Sequence, residues 1–459
     1  MSPRNFTMKP ADNFIFSRLS RLRPHVRECW AVSWPMTVIM FFIFLIGLAD
    51  VYVAGRINKE VQAAYGLSSQ LYFIFSIVAF ALSVGSVSVI SQLFTSERKD
   101  ETRTAVDSTL AITAASGIAA GAIGFFFGGP IIRVLDVPAV IKDLAIPLMQ
   151  IYSLGMLFNY LLISTNSVLR ACRMIKRSLL TMAMVSFLNI ALNFILAFKT
   201  PLGYRGIAAA TGISMLFGCL LNLAFVRPLM AGVFSYSWRT AKKIINIGWP
   251  AGLLQVFWQM GAVALYLILS AMPRNNVEVL AAFTNGLKVE AVIFLPAFAF
   301  NMANAVIVGN FIGKEEKSGA FRAGLATASI GVVFVSIMSL AVMLNAGRIS
   351  GYLSTNSMVV QECSRYIFIS LLVEPVMAWG VILGGALNGA GDTKGVMSVV
   401  AASVWLVRIP LAYLLGIRLG WGQVAVWWSM NISIIVQSIF MTRRYFAKKW
   451  LSRPGSFMV

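Results

Sequence analysis

Histidine, cysteine and acidic residues are scarce in this chain. It carries one histidine, His25, four cysteines, and 17 Asp and Glu in 459 residues. Zinc sites of the usual kind draw several His, Cys or carboxylate ligands together. Here Cys29, Cys172, Cys219 and Cys363 are scattered singly, so neither a metal site nor a disulfide framework is expected. The lone histidine falls in a basic amino-terminal arm, which leaves no Ser/His/Asp constellation for an enzyme. The run "GAGDTK" at 389–394 lacks the phosphate-loop spacing, so no nucleotide site is read there. No organic cofactor is expected.

Charge is scarce as well. Charged residues make up 12% of the chain and hydrophobic residues 58%, whereas a soluble domain carries roughly 25% charged residues. Apolar runs recur along the whole length, each long enough to cross about 30 Å of hydrocarbon. Twelve spans are expected, near 30–54, 63–94, 105–128, 143–167, 179–198, 205–226, 247–271, 279–312, 322–346, 365–389, 395–417 and 421–441. A backbone in lipid must satisfy its own hydrogen bonds, so these spans are helices. A barrel would show alternating segments of ~10 residues instead. The fold class is therefore an all-α polytopic membrane protein.

What is abundant is positive charge, +21 net. Its distribution points away from nucleic acid. Of the 38 Lys and Arg, 26 fall on the arm, the alternate loops, the middle linker and the tail, including Arg170, Arg173, Lys176 and Arg177 after the fourth span. That bias places both termini in the cytoplasm of a plasma (inner) membrane protein. The arm segment "NFIFSRLSRLRPHV" either lies on an anionic membrane surface or is solvated. The apolar run after residue 28 is too long for a signal core, so it is read as the first span and not as a cleaved signal.

The sequence repeats. Shifted by 218 residues, "VQAAYG" at 61 meets "VLAAFT" at 279, "SERK" at 96 meets "KEEK" at 314, and Leu169 meets Leu387. Pro35 in "SWPM" meets Pro250 in "GWPA" at a shift of 215. The organisation read from this is an arm over 1–29, a six-helix bundle over 30–226, a basic linker over 227–246, a second six-helix bundle over 247–441 and a basic tail over 442–459. Six helices return the chain to its starting side, so the bundles are related by a pseudo-two-fold axis along the membrane normal. Repeats of this kind place a substrate between the halves and work by alternating access, which points to a transporter. A channel needs a filter or polar ring, and none is visible.

Several stretches resemble the multidrug and toxic compound extrusion (MATE) family, closest in pattern to its prokaryotic DinF-like branch. "GALNGAGDTKGVMS" at 384 is similar to the loop after the tenth helix, with Asn388 where Arg is usual. "NSVLRACRMIKRSLL" at 166 resembles its first-half counterpart, with Arg173 and Met174 in place of the Gly-Asp pair. "NIALNFILAF" at 189, "GYRGIAAATGIS" at 203, "SWPM…LADVYVAG" over 33–55 and "GLKVEAVIFLPAFAF" at 286 resemble the fifth, sixth, first and eighth helices. The resemblance covers essentially all twelve spans. It implies a monomeric antiporter that exports amphipathic organic compounds, cations among them, in exchange for protons or sodium.

Asp50 stands out, because no other charge lies between Glu28 and Arg56. A carboxylate at mid-membrane costs about 2.5–3.5 kcal/mol on insertion scales, so it faces a cavity, a partner or the interface. Asn189 and Asn193 are four residues apart and share a helix face. By resemblance, Asp50, Asn189, Asn193 and Thr211 form a polar cation-coupling cluster inside the first bundle. Some archaeal members carry an acid at the position of Asn193. Asn does not titrate, which leaves Asp50 as the principal titrating group of this half. Burial favours the neutral carboxyl, whereas donors and cations favour the charged one. A charge falling through ~100 mV supplies about 2.3 kcal/mol, and a pH unit about 1.4 kcal/mol. Sodium suits the same carboxylate and amide oxygens. Pro35, in the same helix, lacks an N–H and permits a bend. The resemblance favours a hinge there over a proline with no mechanical part.

In the second half, Glu290 is read either as a cavity or coupling residue or as a packing contact, and Lys288 does not share its face. Glu374 and Arg408, in neighbouring spans, are read as a structural ion pair, with a substrate role for Glu374 as the alternative. One family branch has acids where this chain has Trp258 and Met377, so that branch's cation site looks absent and protons are favoured over sodium. Gln255, Trp258, Met260 and Tyr72 are weak candidates for a greasy, adaptable cavity. Gly391-Asp392-Thr393 reads as a turn and helix cap. The rival of the same broader fold is a lipid-linked saccharide flippase, which would call for more mid-span Arg and Lys than the first half offers.

Overall fold

The computed structural model describes residues 12–230, 232–272 and 276–452, with side chains of 12–25 and 452 outside the description. The arm's Arg4, Lys9 and His25 side chains and the tail beyond Ser452 therefore fall outside the described residues. Helices α1 (Asp12–Ile57), α2 (Lys59–Thr95), α3 (Lys99–Val134), α4 (Ala139–Ala171), α5 (Ile175–Phe198) and α6 (Arg205–Val226) form the first bundle. A short 3₁₀ turn, Arg227–Met230, leads towards the second. That bundle comprises α7 (Trp238–Ser270), α8 (Asn276–Gly313), α9 (Lys317–Leu344), the short α10 (Ala346–Leu353), α11 (Ser357–Leu371), α12 (Glu374–Gly389), α13 (Thr393–Arg418) and α14 (Gly422–Phe446). No strand occurs among the described residues.

Eleven helices are long and apolar enough to cross a membrane, and α11 with α12 makes the twelfth span, bent by 51° at its break. The single span expected over 365–389 is thus interrupted. Pro375, in the first turn of α12, has no N–H to offer the preceding turn, so the helix restarts there. Helix α13 departs from regular geometry differently, with π-helical turns at Ser403–Arg408 and Leu414–Arg418 flanking Pro410. Helix α1 runs unbroken through Pro35.

The repeat is written in the backbone. Glu97 and Glu315 both take left-handed φ, 60° and 61°, and so do Arg173 and Gly391, 61° and 84°. Each pair is separated by 218 residues. Each residue ends a helix in the same way, by a reversed hydrogen bond such as Met174 N–H to Leu169 O at 2.8 Å and Asp392 N–H to Leu387 O at 2.8 Å. Asp392 follows but does not cap α13 with its side chain as expected. Its carboxylate instead takes Arg444 Nε at 2.6 Å and Nη2 at 2.8 Å, because a guanidinium fork matches both carboxylate oxygens.

The halves meet near the face that carries both ends of the described chain. Hydrogen bonds cross from Ser88 Oγ and Gln92 Nε2 to Gly389 O, at 3.2 and 2.9 Å, and from Thr95 Oγ1 to Asn310 O at 2.9 Å. Helix α2 packs on α7 so closely that a Cβ at Gly85 would collide with Ile244 O, and one at Gly248 would collide with Ala81 O. Only glycine fits at that crossing. The linker is pinned to α3, where Asp107 accepts from Ser235 N at 2.9 Å and Ser237 N donates to Ser108 Oγ at 3.0 Å. Helix α7 starts at Trp238, within the stretch expected to be linker. Arg170, expected in a solvated basic loop, is buried in the last turn of α4 and donates to Ser167 Oγ at 2.9 Å.

Candidate functional site

Helices α1 and α2 are joined by one residue, Asn58, whose side chain accepts from Val61 N at 2.7 Å and starts α2. The turn makes the two helices antiparallel neighbours. Asp50 and Tyr65, nearly equidistant from that turn, therefore stand at one depth. Asp50 lies seven residues before the end of α1, about 10 Å at ~1.5 Å per residue. The α5–α6 hairpin works alike and brings Asn193 and Thr211 to that level.

The result is a closed polar cluster within the first bundle. Asp50 is 4% exposed, and Asn189 and Asn193 are fully buried. Asn193 Nδ2 donates to Asp50 Oδ1 at 2.5 Å and to Asn189 Oδ1 at 3.0 Å. Thr211 Oγ1 and Tyr65 OH each approach Asp50 Oδ2 at 3.4 Å. Asn189 Nδ2 donates to Thr211 Oγ1 at 3.3 Å. No Lys or Arg forms an ion pair with Asp50 among the described residues. A buried carboxyl with neutral donors and no resident cation is one that an exchangeable cation can neutralise.

All four residues expected from sequence are brought together. Tyr65 is the member that sequence reasoning misses, although counting residues outward from the tight turn at Asn58 would find it. Tyr72 belongs to this half as well. Its ring lies 4.9 Å from that of Tyr152, and its hydroxyl donates to Met215 Sδ at 3.1 Å.

The family model described as MatE matches residues 35–195 and again 250–414. The chain belongs to the MATE family of multidrug efflux transporters. Its two matched segments fall one in each bundle, and it is a multi-pass membrane transporter, not an enzyme. It is 22% identical to the uncharacterized transporter YisQ of Bacillus subtilis, over 92% of this chain and 95% of that one. It is 22% identical to a probable multidrug resistance protein NorM of Thermotoga maritima, over 89% of each. Its fold matches an outward-facing multidrug resistance MATE transporter with a TM-score of 0.84 at 20% identity, over 93% of this chain and 97% of that one.

The second half of this MATE protein holds its own polar group. The carboxyls of Glu290 on α8 and Glu374 on α12 meet within hydrogen-bond reach. Tyr366 OH on α11 donates a short hydrogen bond to Glu290 Oε2. Tyr366 is clamped edge-on by Phe283 and Trp427, with ring centroids 5.5 and 4.8 Å away. The expected ion pair between Glu374 and Arg408 does not form. Glu374 opens α12 just past the break and faces α8, a direction that helix periodicity through an unbroken span does not give. Arg408 donates to Ser433 Oγ at 2.8 Å, lies 5.4 Å over the Trp258 ring and has Glu290 as its electrostatic partner.

The other candidates separate. Trp258 belongs to this group through Arg408. Gln255 is half-buried, and Met260 is 51% exposed on the outer side of α7. Met377 is buried in the core of α12.

Proposed function

We propose that the protein is a proton-coupled antiporter that exports amphipathic organic compounds, cations among them, with Asp50 as the coupling carboxylate of the first half. The observation that carries this reading is the buried Asp50, held by Asn193 at 2.5 Å and faced by Tyr65 and Thr211, with no cationic partner among the described residues. A proton neutralises the carboxyl and weakens its pull on Asn193 and Thr211, which sit on other helices. The packing of α1 against α5 and α6 thus responds to occupancy. Sodium is the alternative cation, since carboxylate, amide and hydroxyl oxygens suit it.

Contacts between the halves lie at the face carrying both chain ends. With those ends cytoplasmic, as the basic loops favour, this is a state closed to the cytoplasm. In this proposal the protein works as a monomer in the plasma membrane, and Pro35 lets α1 bend as Asp50 changes occupancy.

The test is efflux of a fluorescent organic cation from proteoliposomes under a proton gradient or a sodium gradient, imposed separately. Proton-driven flux lost in Asp50→Asn is the expected result. Full flux in that variant removes Asp50 from the coupling step, and flux driven by sodium alone replaces the proton.

A further inference from the structure

The Glu290–Glu374 contact is not a copy of the Asp50 cluster. Subtracting 218 takes Glu290 to Tyr72 and Glu374 to Met156, both in an aromatic and methionine core of the first half. Adding 218 takes Tyr65 to Phe283 and Asn193 to Leu411, and the helix 1 shift of 215 takes Asp50 to Leu265. The halves share a backbone but place their ionisable groups at different positions.

Three features mark the second group as more than packing. It sits at the break between α11 and α12, where a helix restarts inside a span, and interrupted spans in transporters are tolerated where they serve a site. A π-helical segment ends at Arg408 and delivers its cation there. Glu374 is 1% exposed, and its Oε2 has no hydrogen-bond partner. A carboxylate in that position would leave charge unsatisfied, whereas a neutral carboxyl that donates through one oxygen leaves only a weak acceptor idle. Two carboxyls in contact hold a proton between them, because like charges at that distance do not both persist.

We propose that Glu290 and Glu374 form a second exchangeable proton site, with the proton on Glu374 donated to Glu290 and Arg408 as the resident counter-cation. The proposal rests on the antiport reading above and adds the second half to it. Glu290 accepts from Tyr366 and from Glu374, and so is the ionised member. With one proton the group is neutral: one carboxylate, one carboxylic acid, one guanidinium. Loss of that proton to water leaves one net negative charge, which a single organic ammonium or phosphonium group restores to neutral. The ionisable groups facing the pair are Tyr366 from α11 and Arg408 from α13. Helix α7 contributes Trp258, α14 contributes Ser433 and Trp427, and α9 has no ionisable residue beyond Lys317 and Arg322 near its start.

The test is infrared difference spectroscopy on the full chain in lipid nanodiscs, reading the carbonyl stretch of protonated carboxyls as pH is changed. In an Asp50→Asn background, which removes the carboxyl of the first cluster, a protonated-carboxyl band is expected. It should disappear in Glu374→Gln and return in Glu374→Asp. Addition of tetraphenylphosphonium at fixed pH should bleach the band and release a proton to an external indicator dye. A band that survives both Glu374→Gln and Glu290→Gln, or no such band in the Asp50→Asn background, overturns the proposal. Bleaching without proton release also overturns it. These readouts need no transport, so a failure of proton-driven efflux would sink the antiport reading and leave the shared proton standing.

Discussion

Asn193 lends its amide hydrogen to Asp50 at 2.5 Å, across the interface between α5 and α1. The two residues are 143 positions apart in sequence, and both are buried. The pairing makes Asn193 the residue that sets how many negative charges this pocket holds.

Replacing it by a second acid changes that number. Asn193→Asp puts two carboxyls in contact with only neutral donors around them. Cation affinity rises with ligand charge. The expected outcome is a gain of about tenfold or more in sodium affinity, ~1.4 kcal/mol, read by calorimetry on the purified protein. Unchanged sodium binding would mean that the amide does not face Asp50.

The α2–α7 crossing gives a prediction about the seam between the halves. Gly248→Val places a branched side chain where even a Cβ collides with Ala81 O. The backbones must separate, and overpacking of this kind costs about 1–3 kcal/mol. The state seen here should lose population, and spin labels placed across the seam should report a longer distance. A distribution identical to wild type would show that the crossing does not hold this state.

Arg173 and Gly391 occupy equivalent helix ends, yet only one is glycine. An L-residue in the left-handed region pays roughly 1–2 kcal/mol that glycine does not. Arg173 also forms an ion pair with Glu28 at 3.3 Å, with both side chains about two-fifths exposed, which contributes ~0–1 kcal/mol. Arg173→Gly is therefore expected to be neutral or stabilising by up to about 1 kcal/mol, and Arg173→Ala to be destabilising relative to it. Thermal unfolding in detergent compares the two, and the reverse order would contradict the strain assignment.

The Arg444–Asp392 pair ties α14 to the start of α13 through two charge-assisted hydrogen bonds. Arg444→Ala removes both from a buried carboxylate. The expected loss is about 1–3 kcal/mol, seen as a lower unfolding temperature. Arg444→Lys should recover only part of it, since an ammonium lacks the planar fork. Full recovery with Lys would mean that charge alone matters.

Much of the fold is legible in the sequence because a membrane imposes simple rules. Apolar runs of fixed length, basic loops and a repeat of 218 residues specify twelve helical spans in two bundles without any knowledge of packing. The Asp50 cluster is legible too. A lone carboxylate in an apolar helix needs polar company, two Asn on one helix face can supply it, and the family resemblance joins them. Tyr65 escapes notice because a tyrosine among apolar residues carries no signal until its depth is counted from the turn.

The linear chain by itself determined the class, the number of spans, the internal duplication and the polar residues that need partners. Only the tertiary structure decided which of those residues meet. Charge alone pairs Glu374 with Arg408, but the break at Pro375 turns Glu374 towards Glu290, and the π turns of α13 carry Arg408 to Ser433 and Trp258. Local sequence makes Asp392 a cap, yet in the fold it is the partner of Arg444, 52 residues away. The reason is common to both cases. Span-forming apolarity is a property of each segment, whereas the direction of a buried polar side chain depends on helix breaks and crossings that no single segment contains.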